Sequence, residues 1–73
     1  MVWTTEVYRV YFNGEVVFET TGPLTATNVK VAAVKAGIYG KFDVFDRETG
    51  KELFPRDFPY SGDVVIKPRY TAA

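Results

Sequence analysis

Residues 6–20 read EVYRVYFNGEVVFET, two runs rich in valine and aromatic side chains joined by Asn13-Gly14. Both turn residues tolerate the positive φ that a tight two-residue connection demands, so the stretch predicts a β-hairpin. The register decides which side chains it shows to water. A two-residue turn sets Phe12 against Glu15, Val10 against Val17 and Tyr8 against Glu19 on one face. The other face then holds Tyr11 with Val16, Arg9 with Phe18 and Val7 with Thr20. A longer turn with a bulge is the competing arrangement: an extra residue shifts the facing of one strand and buries Phe18.

Beyond the hairpin, TGPL (21–24) breaks the alternation and TATNVKVAAVKAG (25–37) predicts a helix. Thr27 or Asn28 is the expected N-cap and Gly37 the stop. Val29, Ala32, Ala33 and Ala36 recur on one helical face, a stripe small enough to let the helix sit close to a sheet lined by aromatic rings. Val31 and Val34 fall on the other side, between Lys30 and Lys35. KFDVFD (41–46) predicts a third strand. RETG (47–50) turns it into a short strand, KELF (51–54), and PRDFPYSG (55–62), with two prolines, reads as a loop or a single helical turn. DVVIK (63–67) is the last strand, stopped by Pro68, which cannot donate to a ladder. The expected strands therefore cover about 5–12, 15–20, 41–46, 51–54 and 63–67. The first and last are expected as parallel neighbours in the sheet centre. The expected core holds Val10, Phe12, Val17, Val29, Ala33, Val44, Leu53 and Val65.

Composition bounds what such a chain can do. Its 73 residues make one domain, and twelve aromatic residues (one Trp, five Tyr, six Phe) enlarge a small core. Nine basic residues balance nine acidic ones with no run of either sign, so the net basic face that nucleic-acid binding needs is not expected. There is no cysteine and no histidine, which removes disulfides, thiolate chemistry and the commonest metal ligand and general base. No apolar run approaches the ~18 residues of a membrane span, and MVWTTEVYRV has no signal-peptide pattern, so a cytoplasmic protein is the expectation.

The order hairpin, helix, then three strands (β-β-α-β-β-β) is that of an α+β fold with one helix across one face of a mixed four- to five-stranded sheet. In that order and spacing the chain resembles the ubiquitin-like β-grasp family. The matching residues are Thr25, Asn28, Val29 and Lys30, the helix end at Lys35–Ile38, and the closing DVVIK. Phe12-Asn13-Gly14 is similar to the first hairpin of the sulfur-carrier branch, and bacterial multiubiquitin-type domains look similar in layout. The resemblance covers nearly the whole chain through short motifs. It implies a protein that works by contact with another protein through its exposed sheet face. The candidates for that face are Tyr11, Val16 and Phe18 from the hairpin, with Phe45 and Ile66 from later strands.

Conjugating and sulfur-carrying relatives end in a flexible arm with two glycines, which an activating enzyme encloses without meeting side chains. Here 68–73 is the expected flexible arm, with Arg69, Tyr70 and, in place of the glycine pair, Ala72 and Ala73. The expectation is non-covalent binding without activation at this end. The alternatives are a modifier or sulfur carrier handed to an activating enzyme with an altered or trimmed tail, and a small non-catalytic subunit of a larger enzyme complex. No enzyme activity, cofactor or metal is expected. Asp43, Asp46, Glu48, Glu52, Asp57 and Asp63 sit in turns or on polar strand positions, and Asp43, Asp46 and Glu48 supply too few oxygens for calcium.

Overall fold

Asn13 (φ 56°) and Gly14 (φ 80°) both adopt left-handed backbone, the requirement of the tight turn that the sequence announces. They join β1 (Val7–Phe12) to β2 (Glu15–Thr21). A computed structural model describes residues 6–69. The hairpin combines the two registers that its sequence allows. Phe12 faces Glu15 and Tyr11 faces Val16, but Val10 faces Phe18, so Val17 is an extra residue on β2. This β-bulge turns Val17 and Phe18 both towards the core, and each packs half-buried against it.

The helix α1 (Ala26–Lys35) starts earlier than expected. Its N-cap is Thr25, whose hydroxyl accepts from the Asn28 N–H at 3.1 Å, while the Asn28 side chain accepts from the Thr25 N–H at 3.0 Å. Asn28 thus closes a capping box where Glu or Gln is commoner, and neither Thr27 nor Asn28 is the cap. Leu24 and Val29, both buried, occupy the positions of a hydrophobic staple around it. At the other end Gly37 (φ 82°) donates to Val34 at 3.0 Å and Ile38 donates to Ala33 at 2.9 Å, a Schellman stop that carries Ile38 into the core.

After the helix come β3 (Phe42–Asp46), β4 (Glu52–Leu53), a 3-10 turn at Pro55–Asp57 and β5 (Val64–Pro68). The five strands form one mixed sheet in the order β2-β1-β5-β3-β4, with β1 and β5 parallel and the other pairs antiparallel. One helix lies against one face, so the architecture is an α+β β-grasp arrangement in the order β-β-α-β-β-β.

The core lies between helix and sheet. The helix contributes Val29, Ala32 and Ala33; the strands contribute Val10, Val44, Leu53, Val64 and Ile66. Leu24 and Ile38 seal its ends. Each fully buried Val, Leu or Ile is worth roughly 1.5–3 kcal/mol of apolar transfer, which is how so short a chain offsets its ordering entropy. Val31 and Val34 are exposed, on the side of the helix away from this core.

Two expectations about the core need correction. Val64 and Ile66 are both fully buried and pair with Val10 or Asp46 and with Val44, so Val65 points to the opposite face of the sheet. Ile66 is therefore core and Val65 is not, because a one-residue difference in strand phase exchanges the two faces. Phe18 likewise belongs to the core side, moved there by the bulge.

Two residues of the expected arm are instead held at the sheet. Pro68 pairs with Phe42 in β5, and Arg69 donates its backbone N–H to the Lys41 carbonyl at 2.9 Å and its side chain to Asp43. Tyr70, Ala72 and Ala73 lie outside the described residues.

Candidate functional site: the outer face of the sheet

The strand registers place one residue from each strand in a single row across the face away from α1. The row runs Val16, Tyr11, Val65, Phe45, Glu52, in the order β2-β1-β5-β3-β4. At ~4.8 Å between strands the four apolar members span about 14 Å. Val16 is exposed, and Tyr11, Val65 and Phe45 are half-buried. Of the expected face residues, Tyr11, Val16 and Phe45 come together here, and Phe18 and Ile66 do not.

Two cations lie on this row. The Arg47 guanidinium stands 3.9 Å from the centre of the Tyr11 ring, and the Lys67 ammonium 5.2 Å from that of Phe45. Each such contact is worth about 0.5–1 kcal/mol at an exposed site. Alternation explains the placement of Lys67. Residues 63, 65 and 67 share a face, so the polar ends of DVVIK, Asp63 and Lys67, mark Val65 as outward. That signal stands in the sequence beside the three apolar residues that obscure it.

Three carboxylates of the same face are engaged. Glu19 pairs with Arg9 at 2.9 Å, and Asp43 with Arg69 at 2.6 Å. Asp63 accepts the Arg9 backbone N–H at 2.9 Å. Glu52, opposite Phe45 at the β4 border, stands at the end of the row. Neither Arg47 nor Lys67 has an ion-pair partner among the described residues.

Of the acidic residues weighed for metal binding, Asp46 serves a different purpose. Asp46, almost fully buried at the end of β3, accepts from the Thr49 N–H (2.6 Å), the Thr49 hydroxyl (2.8 Å) and the Tyr60 hydroxyl (2.5 Å). Tyr60 in turn exchanges two backbone hydrogen bonds with Leu24, both 2.8 Å. The carboxylate thereby ties the 46–50 turn and the 58–63 loop to the segment entering the helix. Among the described residues no three acidic side chains converge as a metal site. Nor is any helix among them long and apolar enough to cross a membrane.

This latch has a definite pH dependence. The Tyr60 hydroxyl, followed by the Thr49 donors, holds the Asp46 carboxyl below its ordinary value. The same bond to Asp46 pushes Tyr60 up to about 12. A depressed carboxyl stabilises the fold above its unfolded value, and that contribution is lost as pH falls through the lowered one. A raised phenol stabilises below its unfolded value and loses the effect as pH climbs to the raised one. Thermal melts should therefore fall at both flanks, below about pH 4 and above about pH 10. Asp46→Asn should flatten both flanks, and Tyr60→Phe should remove the alkaline one and weaken the acidic one, which the Thr49 donors then sustain alone. Unchanged flanks in both variants would show that other groups set the pH response.

An apolar cleft of about 210 Å³ opens between α1 and the β3–β4 side of the sheet. Val29, Phe42, Leu53, Phe54 and Phe58 line it, with Lys30 and Glu52 among its charged residues.

No protein-family model matches the chain, and neither a curated protein nor a solved structure matches it.

Proposed function

We propose that this chain is a non-enzymatic recognition domain of the ubiquitin-like kind, binding another protein through the outer face of its sheet. The observation that carries the reading is the row Val16, Tyr11, Val65, Phe45. Four apolar side chains in line on a face that no helix among the described residues covers form an anchor strip of the sort that excludes water from an interface centre. Aromatic residues and arginine, here Tyr11, Phe45 and Arg47, are the types that concentrate binding energy. The resemblance to ubiquitin-like proteins, in which the exposed sheet face is the usual partner surface, supports the same assignment. Catalysis instead calls for a nucleophile or an acid–base pair converging in a pocket. The buried acid of this chain, Asp46, has its oxygens occupied by Thr49 and Tyr60.

Tyr11→Ser with Phe45→Ser should abolish capture of the partner from host extract while lowering stability by about 2 kcal/mol, mostly through the two lost cation contacts, because neither ring is a core residue. Val34→Ser, on the exposed side of the helix, should leave capture intact. Capture that survives the double substitution but not Val34→Ser would overturn the reading.

A further inference from the structure

We infer that the partner segment received by the outer face is acidic: a stretch of polypeptide in which carboxylates flank an apolar side chain. The inference rests on the face proposed above as the binding surface and adds the chemistry of what it binds. The charges over the middle of the row set its preference. Glu19 and Asp43 are engaged by Arg9 and Arg69, Asp63 accepts the Arg9 backbone N–H, and Glu52 stands at the far end of the row, beyond Phe45. Arg47 and Lys67 lie instead over the apolar row, one on Tyr11 and one on Phe45, with no carboxylate paired to them among the described residues.

A partner covering the row must cover these two cations with it. A cation withdrawn from water without a counter-charge is costly, so an uncharged or basic segment would either lose affinity or have to displace them. An acidic segment supplies the missing charge, and its apolar residue meets Tyr11, Val65 and Phe45 between the two cations. Tyr11 and Phe45 stand two strands apart, ~10 Å, close enough for one short segment to reach both sites. A guanidinium over a ring face keeps N–H groups free to donate to a carboxylate. Nucleic acid also carries anions, but the chain balances nine basic against nine acidic residues, and this face adds only two free cations.

The test is an amide-resonance titration of the labelled chain with three probes. These are a short acetylated peptide alternating glutamate and leucine, the same peptide with lysine for glutamate, and a short single-stranded DNA. The glutamate peptide should shift residues 11, 16, 45, 47, 65 and 67 and bind more weakly at high salt. Arg47→Glu with Lys67→Glu should weaken it roughly tenfold or more and turn the preference towards the lysine peptide. If that double variant folds poorly, Arg47→Gln and Lys67→Gln singly should each give part of the loss. Three results overturn the acidic assignment: equal or tighter binding of the lysine peptide, binding of DNA alone, or no binding of the glutamate peptide at this face. So does concentration-dependent self-association of the unliganded chain through the same resonances, which would make a second copy the occupant. None of these touches the protein-binding reading of the face, which stands or falls separately on the Tyr11 and Phe45 substitutions.

Discussion

Truncating Ile66 to alanine should cost about 3 kcal/mol of folding free energy, whereas Val65→Ala, one residue away, should cost about 1 kcal/mol or less. Ile66 is fully buried in the central strand, opposite Val44 and within the cluster that α1 covers. Removing its outer carbons leaves a cavity that its neighbours on β3 and α1 can fill only in part. Val65 stands on the outer face between Tyr11 and Phe45, where a shorter side chain leaves a dent open to water. Against the 5–15 kcal/mol typical of a small domain, the first loss brings the chain close to its unfolding limit. Urea unfolding of the two variants measures both costs. Equal losses, or a larger one at Val65, would mean that β5 pairs one residue out of phase with the register described.

Gly62→Val should be the other strongly disruptive change, at about 2 kcal/mol, and the reason is steric. A Cβ at Gly62 would lie 2.9 Å from Cε2 of Tyr60 and 3.6 Å from Oδ1 of Asp46. The ring has little freedom to yield. Its hydroxyl is held by Asp46, and its backbone is bound to Leu24 through both N–H and carbonyl. Substitution therefore either pushes the ring off the carboxylate or moves the loop that presents it. In a Tyr60→Ala background the added cost of Gly62→Val should therefore shrink well below its value in the parent chain. A cost that stays the same would place the damage in the loop backbone instead of at the ring.

What the sequence shows plainly is whatever short-range chemistry decides. Asn13-Gly14 specifies a tight hairpin because few other pairs adopt its backbone, and Gly37 ends the helix for the same reason. The parallel pairing of β1 with β5 is legible only through the resemblance to β-grasp proteins, because no local pattern marks which strands adjoin. Phase within an apolar run is harder. Val64, Val65 and Ile66 are alike in chemistry, and only the polar residues at 63 and 67 tell which of them faces out. The bulge at Val17 has no comparable marker, since it depends on how Phe18 fits beside Val10 across the hairpin. Thr25 and Asn28 do carry a capping pattern, visible once Asn is accepted in the place of Glu or Gln. Contacts such as Leu24 with Tyr60, or Asp46 with Tyr60, join residues far apart in the chain and leave no local trace. Of the candidate face, Tyr11, Val16 and Phe45 are legible from alternation. Arg47 belongs to it only because its side chain reaches back from a turn onto Tyr11.

The extra residue on β2 bears on how copies of this chain keep apart. A sheet's outermost strands offer unsatisfied rungs to any passing strand, which is how folded proteins begin to stack into fibres. Here one border is β2, where Val17 breaks the even spacing that a docking strand would need to match. The other is β4, only two residues long and followed directly by the 3-10 turn that starts at Pro55. With both borders poor templates, the flat of the sheet can keep an apolar strip without making the chain prone to polymerise.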